Sequence, residues 1–119
     1  MIEYHLFKDD LKAAEILKGS PVIATPEDML DLIAEAGYQN SIAVIMHRET
    51  LHSNFFDLKT RLAGEILQKF SNYRMKLAIV GDFSDLDSKS LSDFIRESNR
   101  TGIINFVNSV DEALAKLNR

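Results

Sequence analysis

Three short runs of apolar, mostly β-branched residues alternate with longer amphipathic segments in this 119-residue chain, and this alternation constrains the fold most. The runs cover residues 42–46, 77–80 and 103–107. Their length and composition are typical of strands that are buried on both faces. Because each intervening helix must return the chain to the same edge of the sheet, the order predicts right-handed crossovers and a mainly parallel sheet.

Helix starts are marked by a short polar residue that can cap free backbone amides, followed within three residues by a carboxylate. Thr25 precedes a proline and two acidic residues, Asn54 stands three residues before Asp57, and Ser109 precedes two acidic residues. We therefore predict helix N-caps at Thr25, Asn54 and Ser109. A further helix is expected to begin near Ser90.

The first 24 residues predict a hairpin. Residues 2–7 alternate between apolar and polar side chains, as in a half-exposed strand, and residues 8–10 can turn the chain back. Residues 11–18 fit a helix as well as a strand by propensity, and we interpret them as the second strand. No linker, repeat or low-complexity segment interrupts the pattern, so we predict one α/β domain over residues 1–119.

Residues 55–73 predict the longest helix, with an unusually wide apolar face. Two adjacent stripes form it, and their members are Phe55, Leu58, Leu62 and Ile66, then Phe56, Ala63, Leu67 and Phe70. Together they exceed the arc of about 100° that seats a helix on a sheet. We therefore expect a homodimer or a protein partner at this helix, unless neighbouring helices cover both stripes. Gly64 in its middle is interpreted as a site of tight internal packing, with a dimer contact as the alternative.

Composition excludes several classes of function. The chain carries 14 basic and 18 acidic residues, and its basic residues are scattered, so we expect no nucleic-acid partner. The longest apolar run is far shorter than the ~20 residues that span a bilayer, and the N-terminus lacks the pattern of a leader, so we expect no membrane contact and a cytoplasmic location. The absence of cysteine excludes disulfides, thiolate zinc sites and cysteine nucleophiles.

The carboxyl ends of the predicted parallel strands carry the only candidate catalytic residues. His47, Glu49 and His52 follow the first of these strands, and Asp82 follows the second. Open α/β sheets bind ligands at this edge, and imidazoles with carboxylates can act as acid and base or hold a divalent metal. Their spacing matches no metal or catalytic motif, and no phosphate-binding loop is present, so we predict no metal and no cofactor. The alternative is that these residues are ordinary loop and turn residues.

Several blocks of sequence carry a family resemblance: FFDLKT at 55–60, LAGEILQKF at 62–70, NYR at 72–74, LAIVGDFS at 77–84 and KSLSDFI at 89–95. From about residue 39 onward the chain resembles the bacterial family known as domain of unknown function 4180. More weakly, its order of elements is similar to the STAS domains of anti-sigma-factor antagonists and sulfate transporters. That likeness implies a STAS-like architecture and action by protein contact. It does not extend to the phosphorylatable serine of STAS switches, because Leu58 and Lys59 follow Asp57.

We interpret the chain as a small, non-catalytic regulatory or protein-interaction module. Two alternatives stay open. The first is a small hydrolase or metal-dependent enzyme that uses His47, Glu49, His52 and Asp82, and the second is a small-ligand sensor at the same edge. The three interpretations differ in whether those four side chains converge on one cavity.

Overall fold

A five-stranded sheet organises the chain in the computed structural model, which describes residues 1–8 and 10–118. The strands are β1 (Ile2–Lys8), β2 (Leu11–Ile16), β3 (Ser41–His47), β4 (Lys76–Val80) and β5 (Ile104–Val107), and they are adjacent in this order. β1 and β2 form an antiparallel hairpin, and every later pair is parallel. The predicted α/β fold, with a mostly parallel sheet and an N-terminal hairpin, is confirmed, and the ambiguous second segment is a strand.

In the described residues four α-helices alternate with the strands: α1 (Pro26–Tyr38), α2 (Leu62–Asn72), α3 (Lys89–Thr101) and α4 (Val110–Leu117). Thr25 caps α1, because its hydroxyl oxygen accepts a hydrogen bond from the Asp28 amide while the Asp28 carboxylate accepts one from the Thr25 amide. Ser109 caps α4 by accepting a hydrogen bond from the amide three residues on. The cap of α3 is Ser88, so that helix begins slightly earlier than the sequence predicts.

The prediction of one helix over residues 55–73 with its cap at Asn54 is wrong. Residues 48–60 instead form three short 3₁₀ turns, and α2 begins only at Leu62. Arg61 has a φ of +67°, a left-handed conformation that a right-handed helix cannot contain. The Thr60 hydroxyl also donates to the carbonyl oxygens of Asn54 and Asp57, at 2.6 and 2.8 Å, which stabilises the turns in place of helix.

Most of the predicted stripe belongs to the core. Phe55, Leu62, Ile66 and Phe70 are buried under one face of the sheet, which α1, α2 and α3 cover. Gly64 is different, because it is exposed and no atom outside its own helix lies within 4 Å of where a Cβ would stand. The interpretation of Gly64 as a site of tight internal packing is therefore wrong.

The opposite face of the sheet is covered by α4 alone among the described helices. Ala113 and Leu117 of α4 pack on alternate residues of the sheet, among them Ala43 and Ile45 of β3, and the contacts of α4 lie mainly on β3, β4 and β5. The part of this face that β1 and β2 provide lies beside that helix-covered core. Its polar side chains are Glu3, His5 and Glu15, and Ala13 lies among them.

Candidate functional site

The four candidate residues from the sequence do not share a cavity. Glu49 is exposed, and its carboxylate lies 3.6 Å from Lys18 Nζ. His52 Nδ1 accepts a hydrogen bond from the amide of Asn54, within its own turn. Asp82 Oδ1 accepts one from the Ser84 amide at 2.9 Å, which closes an Asx turn. The surface cavity at this edge is lined by Glu49 but not by the other three.

Arg48, which the sequence does not single out, joins the loops that follow β3 and β4. Its guanidinium carbon lies 5.1 Å from the ring centre of Phe56 and 5.5 Å from that of Phe83. It also donates to both carboxylate oxygens of Asp85, at 2.7 and 3.1 Å, and this hydrogen bonding lowers the pKa of Asp85. Gly81 makes the approach feasible, since a Cβ there would lie only 2.8 Å from Arg48 Cβ. This is a structural clamp between loops.

His47 belongs to a different cluster, on the face of the sheet that α4 covers in part. Strand pairing sets Glu3 opposite Glu15 and His5 opposite Ala13 in the hairpin, and sets Glu15 beside Ile45 of β3. Paired residues project to the same face, and so do residues two apart in one strand. The side chains of Glu3, His5, Glu15 and His47 therefore leave the sheet on one side.

Glu15 is the centre of this cluster. Its Oε1 lies 2.8 Å from His5 Nε2 and its Oε2 lies 2.8 Å from His47 Nε2. Only 7% of Glu15 and 9% of His47 are exposed to solvent, so their hydrogen bond is shielded from water. A carboxylate between two imidazoles thus spans three neighbouring strands.

The ionisation state of Glu15 follows from its surroundings. Burial raises the pKa of its carboxyl, but the hydrogen bonds from His47 and His5 and the charges of both rings lower it by more, so the net pKa lies below the ordinary value. Glu15 is then an ionised acceptor at neutral pH. Because an ionised carboxylate only accepts, we assign the donor hydrogen to Nε2 of each histidine.

Glu3 adds a second carboxylate to the cluster. Glu3, His5 and Glu15 each offer one oxygen or nitrogen atom that can ligate a metal, and these three atoms lie within 4.8 Å of one another. Glu3 is exposed and His5 is partly exposed, so this side of the cluster is open to solvent. Among the residues that the structure describes, this is the one group with such geometry.

The sequence contains a signal for this cluster that its apolar runs conceal. Glu15 is the one charged residue in the run AAEIL at 13–17, so it stands where a strand inside a sheet needs an apolar side chain. A carboxylate at such a position requires a partner, since burying it unpaired costs several kcal/mol. Its partner His47 is among the candidate residues from the sequence. From the sequence, His47 is grouped with the loop residues at the carboxyl ends of the strands, and not with Glu15.

No α-helix in the described part of the chain is both long and apolar enough to cross a bilayer.

Comparison with curated proteins gives no match, and neither does comparison with solved structures. Residues 8–117 match the family described as Domain of unknown function (DUF4180), which takes in β2 to α4 and excludes nearly all of β1. The chain therefore belongs to the DUF4180 family.

Proposed function

We propose that the protein is a small cytoplasmic, non-catalytic interaction module, and that it acts by pairing the open edge of β1 with β1 of a second copy. The observation that carries the proposal is this edge. The Leu17 amide donates to the Met1 carbonyl oxygen at 3.1 Å, which shows that Met1 and Leu17 form a hydrogen-bonded pair of the hairpin. In an antiparallel pair alternate residues are bonded, so the N–H and C=O groups of Ile2, Tyr4 and Leu6 point away from β2.

The two edge strands of the sheet, β1 and β5, differ in how freely they can pair with another strand. β5 has only four residues, and the Phe106 amide on its outer side donates to Asn99 Oδ1 at 2.7 Å. β1 has seven residues, and no described residue pairs with its outer side. Leu6, which precedes the β-bulge that ends the regular pairing of β1, is 66% exposed, so a large apolar side chain lies at this edge. An edge whose backbone N–H and C=O groups are free is a template for another strand.

The sequence of β1 fits a second copy of itself. With a two-fold axis through Tyr4, the outward N–H and C=O groups of the two β1 strands can bond each other. This axis sets Ile2 opposite Leu6 of the other copy. The same axis sets Glu3 of each copy opposite His5 of the other, so no two carboxylates face each other across the seam. Apolar pairs across strands stabilise a sheet, whereas like charges directly opposite each other destabilise it. Closed two-fold dimers are the commonest assembly of small soluble chains.

The other interpretations have less support. An interface at residues 55–73 loses its main argument, because the helix is broken at Arg61 and most of the apolar stripe is core. The enzyme and the ligand sensor at the strand ends relied on convergence of His47, Glu49, His52 and Asp82, whose side chains bind separate partners. The STAS-like likeness stays a prediction.

Light scattering over a concentration series tests the proposal. We expect the wild type to approach twice the 13.5 kDa mass of the chain at high micromolar concentration. Leu6→Lys removes the apolar pair and adds a charge to the edge, so it should keep the chain monomeric. The control is Tyr73→Lys, since Tyr73 is exposed to a similar degree, 58%, at the end of α2. A wild type that stays at 13.5 kDa, or a dimer that only Tyr73→Lys dissociates, would overturn the proposal.

Cross-linking tests the register. Because the chain has no cysteine, Tyr4→Cys introduces a single thiol. Two copies paired about position 4 bring the Cα atoms within the roughly 4.4–6.8 Å that a disulfide requires, so a covalent dimer should form on mild oxidation. Ile2→Cys is the control, because four residues of strand, about 13 Å, separate its two copies in this register. Equal cross-linking of both variants would contradict the axis through Tyr4.

A further inference from the structure

We propose that Glu3, His5 and Glu15 form a binding site for one divalent transition-metal ion. The site lies within a single chain and does not depend on the pairing of β1 edges. Imidazole and carboxylate are the ligand types that zinc and other first-row divalent ions use in proteins that offer no thiolate. This chain has three histidines and no cysteine, and two of the three histidines contact the Glu15 carboxylate.

The register of the hairpin supplies the first argument. Glu3 and Glu15 stand directly opposite each other on β1 and β2. Like charges at opposed positions destabilise an antiparallel pair, and Glu15 has little solvent to screen it. A cation between the two carboxylates turns this repulsion into attraction. His5 is two residues along β1 from Glu3, so its side chain reaches the same space.

The distances supply the second argument. In a tetrahedral site with bonds of about 2.0–2.1 Å, two ligand atoms lie roughly 3.3 Å apart. His5 Nε2 and Glu15 Oε1 are now 2.8 Å apart, so they need to separate by only about half an ångström to admit an ion. The ion takes the place of the hydrogen on Nε2, which leaves to solvent as the ion binds. The ligand atom of Glu3 lies within 4.8 Å of both, and Glu3 is exposed, so its side chain can move inward. Three protein ligands leave the fourth position for water.

His47 supplies the third argument, as a positioning residue. It binds Glu15 Oε2, which fixes the plane of the carboxylate and leaves Oε1 directed toward β1. Ligating carboxylates are commonly held by such hydrogen bonds from outside the coordination sphere. The ring of His47 is buried at the end of β3, so the orientation of Glu15 is set by the sheet and not by a mobile loop.

Calorimetric titration of the metal-free chain with Zn²⁺ tests the site. The full chain is stripped with EDTA and exchanged into buffer without chelator, and we expect one ion bound per chain. His5→Gln and Glu3→Gln should weaken binding by at least about tenfold, because each removes a ligand. His52→Gln is the matched control, since His52 is the remaining histidine and its ring accepts a hydrogen bond from the Asn54 amide within the same turn, apart from the cluster. Circular dichroism checks that each variant is folded.

The role of His47 as a positioning residue needs a measurement that distinguishes weaker metal binding from a loss of structure in His47→Gln. Co²⁺ in place of Zn²⁺ reports its ligands through visible absorption. We expect His47→Gln to keep the band positions of the wild type, while the Co²⁺ affinity falls about 10–100-fold. Three results would each overturn the proposal: no saturable binding to the wild type, equal binding by His5→Gln and wild type, or half an ion per chain, which would place the ion between copies.

Discussion

The hydrogen bond between Glu15 and His47 should contribute more to stability than the bond between Glu15 and His5. Both bonds measure 2.8 Å, so distance does not separate them. The two histidine side chains differ in exposure, 11% for His47 against 23% for His5. Solvent competes for a partly exposed donor and screens its attraction to the carboxylate, so the His47 bond is the better shielded of the two.

Double-mutant cycles measure the two couplings. Glu15→Leu is combined with His47→Leu in one cycle and with His5→Leu in the other. The coupling energy is the effect of the double variant minus the effects of the two single variants, so the stability gained by burying leucine cancels. A hydrogen bond to a charged group contributes about 1.5–3 kcal/mol, and we expect the His47 coupling in this range. The His5 coupling should be smaller, about 1 kcal/mol or less, because His5 is partly exposed and solvent screens its attraction to the carboxylate. The assay is urea unfolding followed by circular dichroism, with EDTA present throughout.

The coupling energies should also depend on pH with a defined sign. The pKa of Glu15 is lowered in the folded chain, from an ordinary value of 4.5. A group of this kind contributes stability that is fully present above pH 4.5 and is lost as the pH falls through the folded pKa, which lies lower. His5, His47 and Glu3 are the titratable side chains that surround Glu15 in the cluster. A His47 coupling below about 0.5 kcal/mol at neutral pH, or one smaller than the His5 coupling, would refute the reasoning.

Two further variants address other parts of the molecule. Gly64→Ala should raise the free energy of unfolding by up to about 1 kcal/mol, because Gly64 is exposed in the first turn of α2 and a Cβ there meets nothing. A loss of stability, or weaker self-association, would instead place Gly64 at a contact. Arg48→Met should lower stability by about 1–2 kcal/mol through two lost cation–π contacts. The pKa of Asp85 should rise toward 3.8 when followed by NMR, and an unchanged value would contradict the clamp.

The elements that the sequence predicts well are those encoded by neighbouring residues. The Thr25 cap depends on Asp28, three residues away, and the Ser109 cap depends on the amide of Glu112. Buried strands are marked by their own β-branched runs, and their alternation with helices is sufficient to predict a parallel sheet. Local chemistry therefore accounts for the fold class without knowledge of any contact distant in the chain.

The broken helix shows where local reasoning fails. Apolar residues at 55, 58, 62 and 66 fit a helical period, yet 3₁₀ turns that bury Phe55 satisfy the same pattern. The 3₁₀ turns differ from a continuous helix in the left-handed backbone conformation of Arg61 and in the hydrogen bond from the Thr60 hydroxyl. Neither arginine nor threonine signals a helix break by its residue type. Asn54 consequently caps no α-helix, so Asn54→Ala, expected from the sequence to cost about 1 kcal/mol, should now have little effect.

The polar cluster escapes prediction for a different reason, which is that its members come from three strands. His5, Glu15 and His47 are 10 and 32 residues apart in sequence, and only the register of the sheet brings them together. Glu15 alone signals a conflict with its apolar neighbours, and such local conflicts concentrate at functional sites. The sequence could predict that Glu15 needs a partner but not which partner.

Stability alone does not account for this cluster. A buried carboxylate hydrogen-bonded to imidazoles gives up its hydration, and apolar side chains of similar size at such positions are commonly neutral or more stabilising. Ala13, Ala43 and Ile45 surround Glu15 on the same face and show that apolar residues suit it. The face would therefore pack with leucine at position 15, and the carboxylate needs a reason beyond packing. An ion held between Glu15, His5 and Glu3 supplies one, and the calorimetric comparison of His5→Gln with His52→Gln tests it directly.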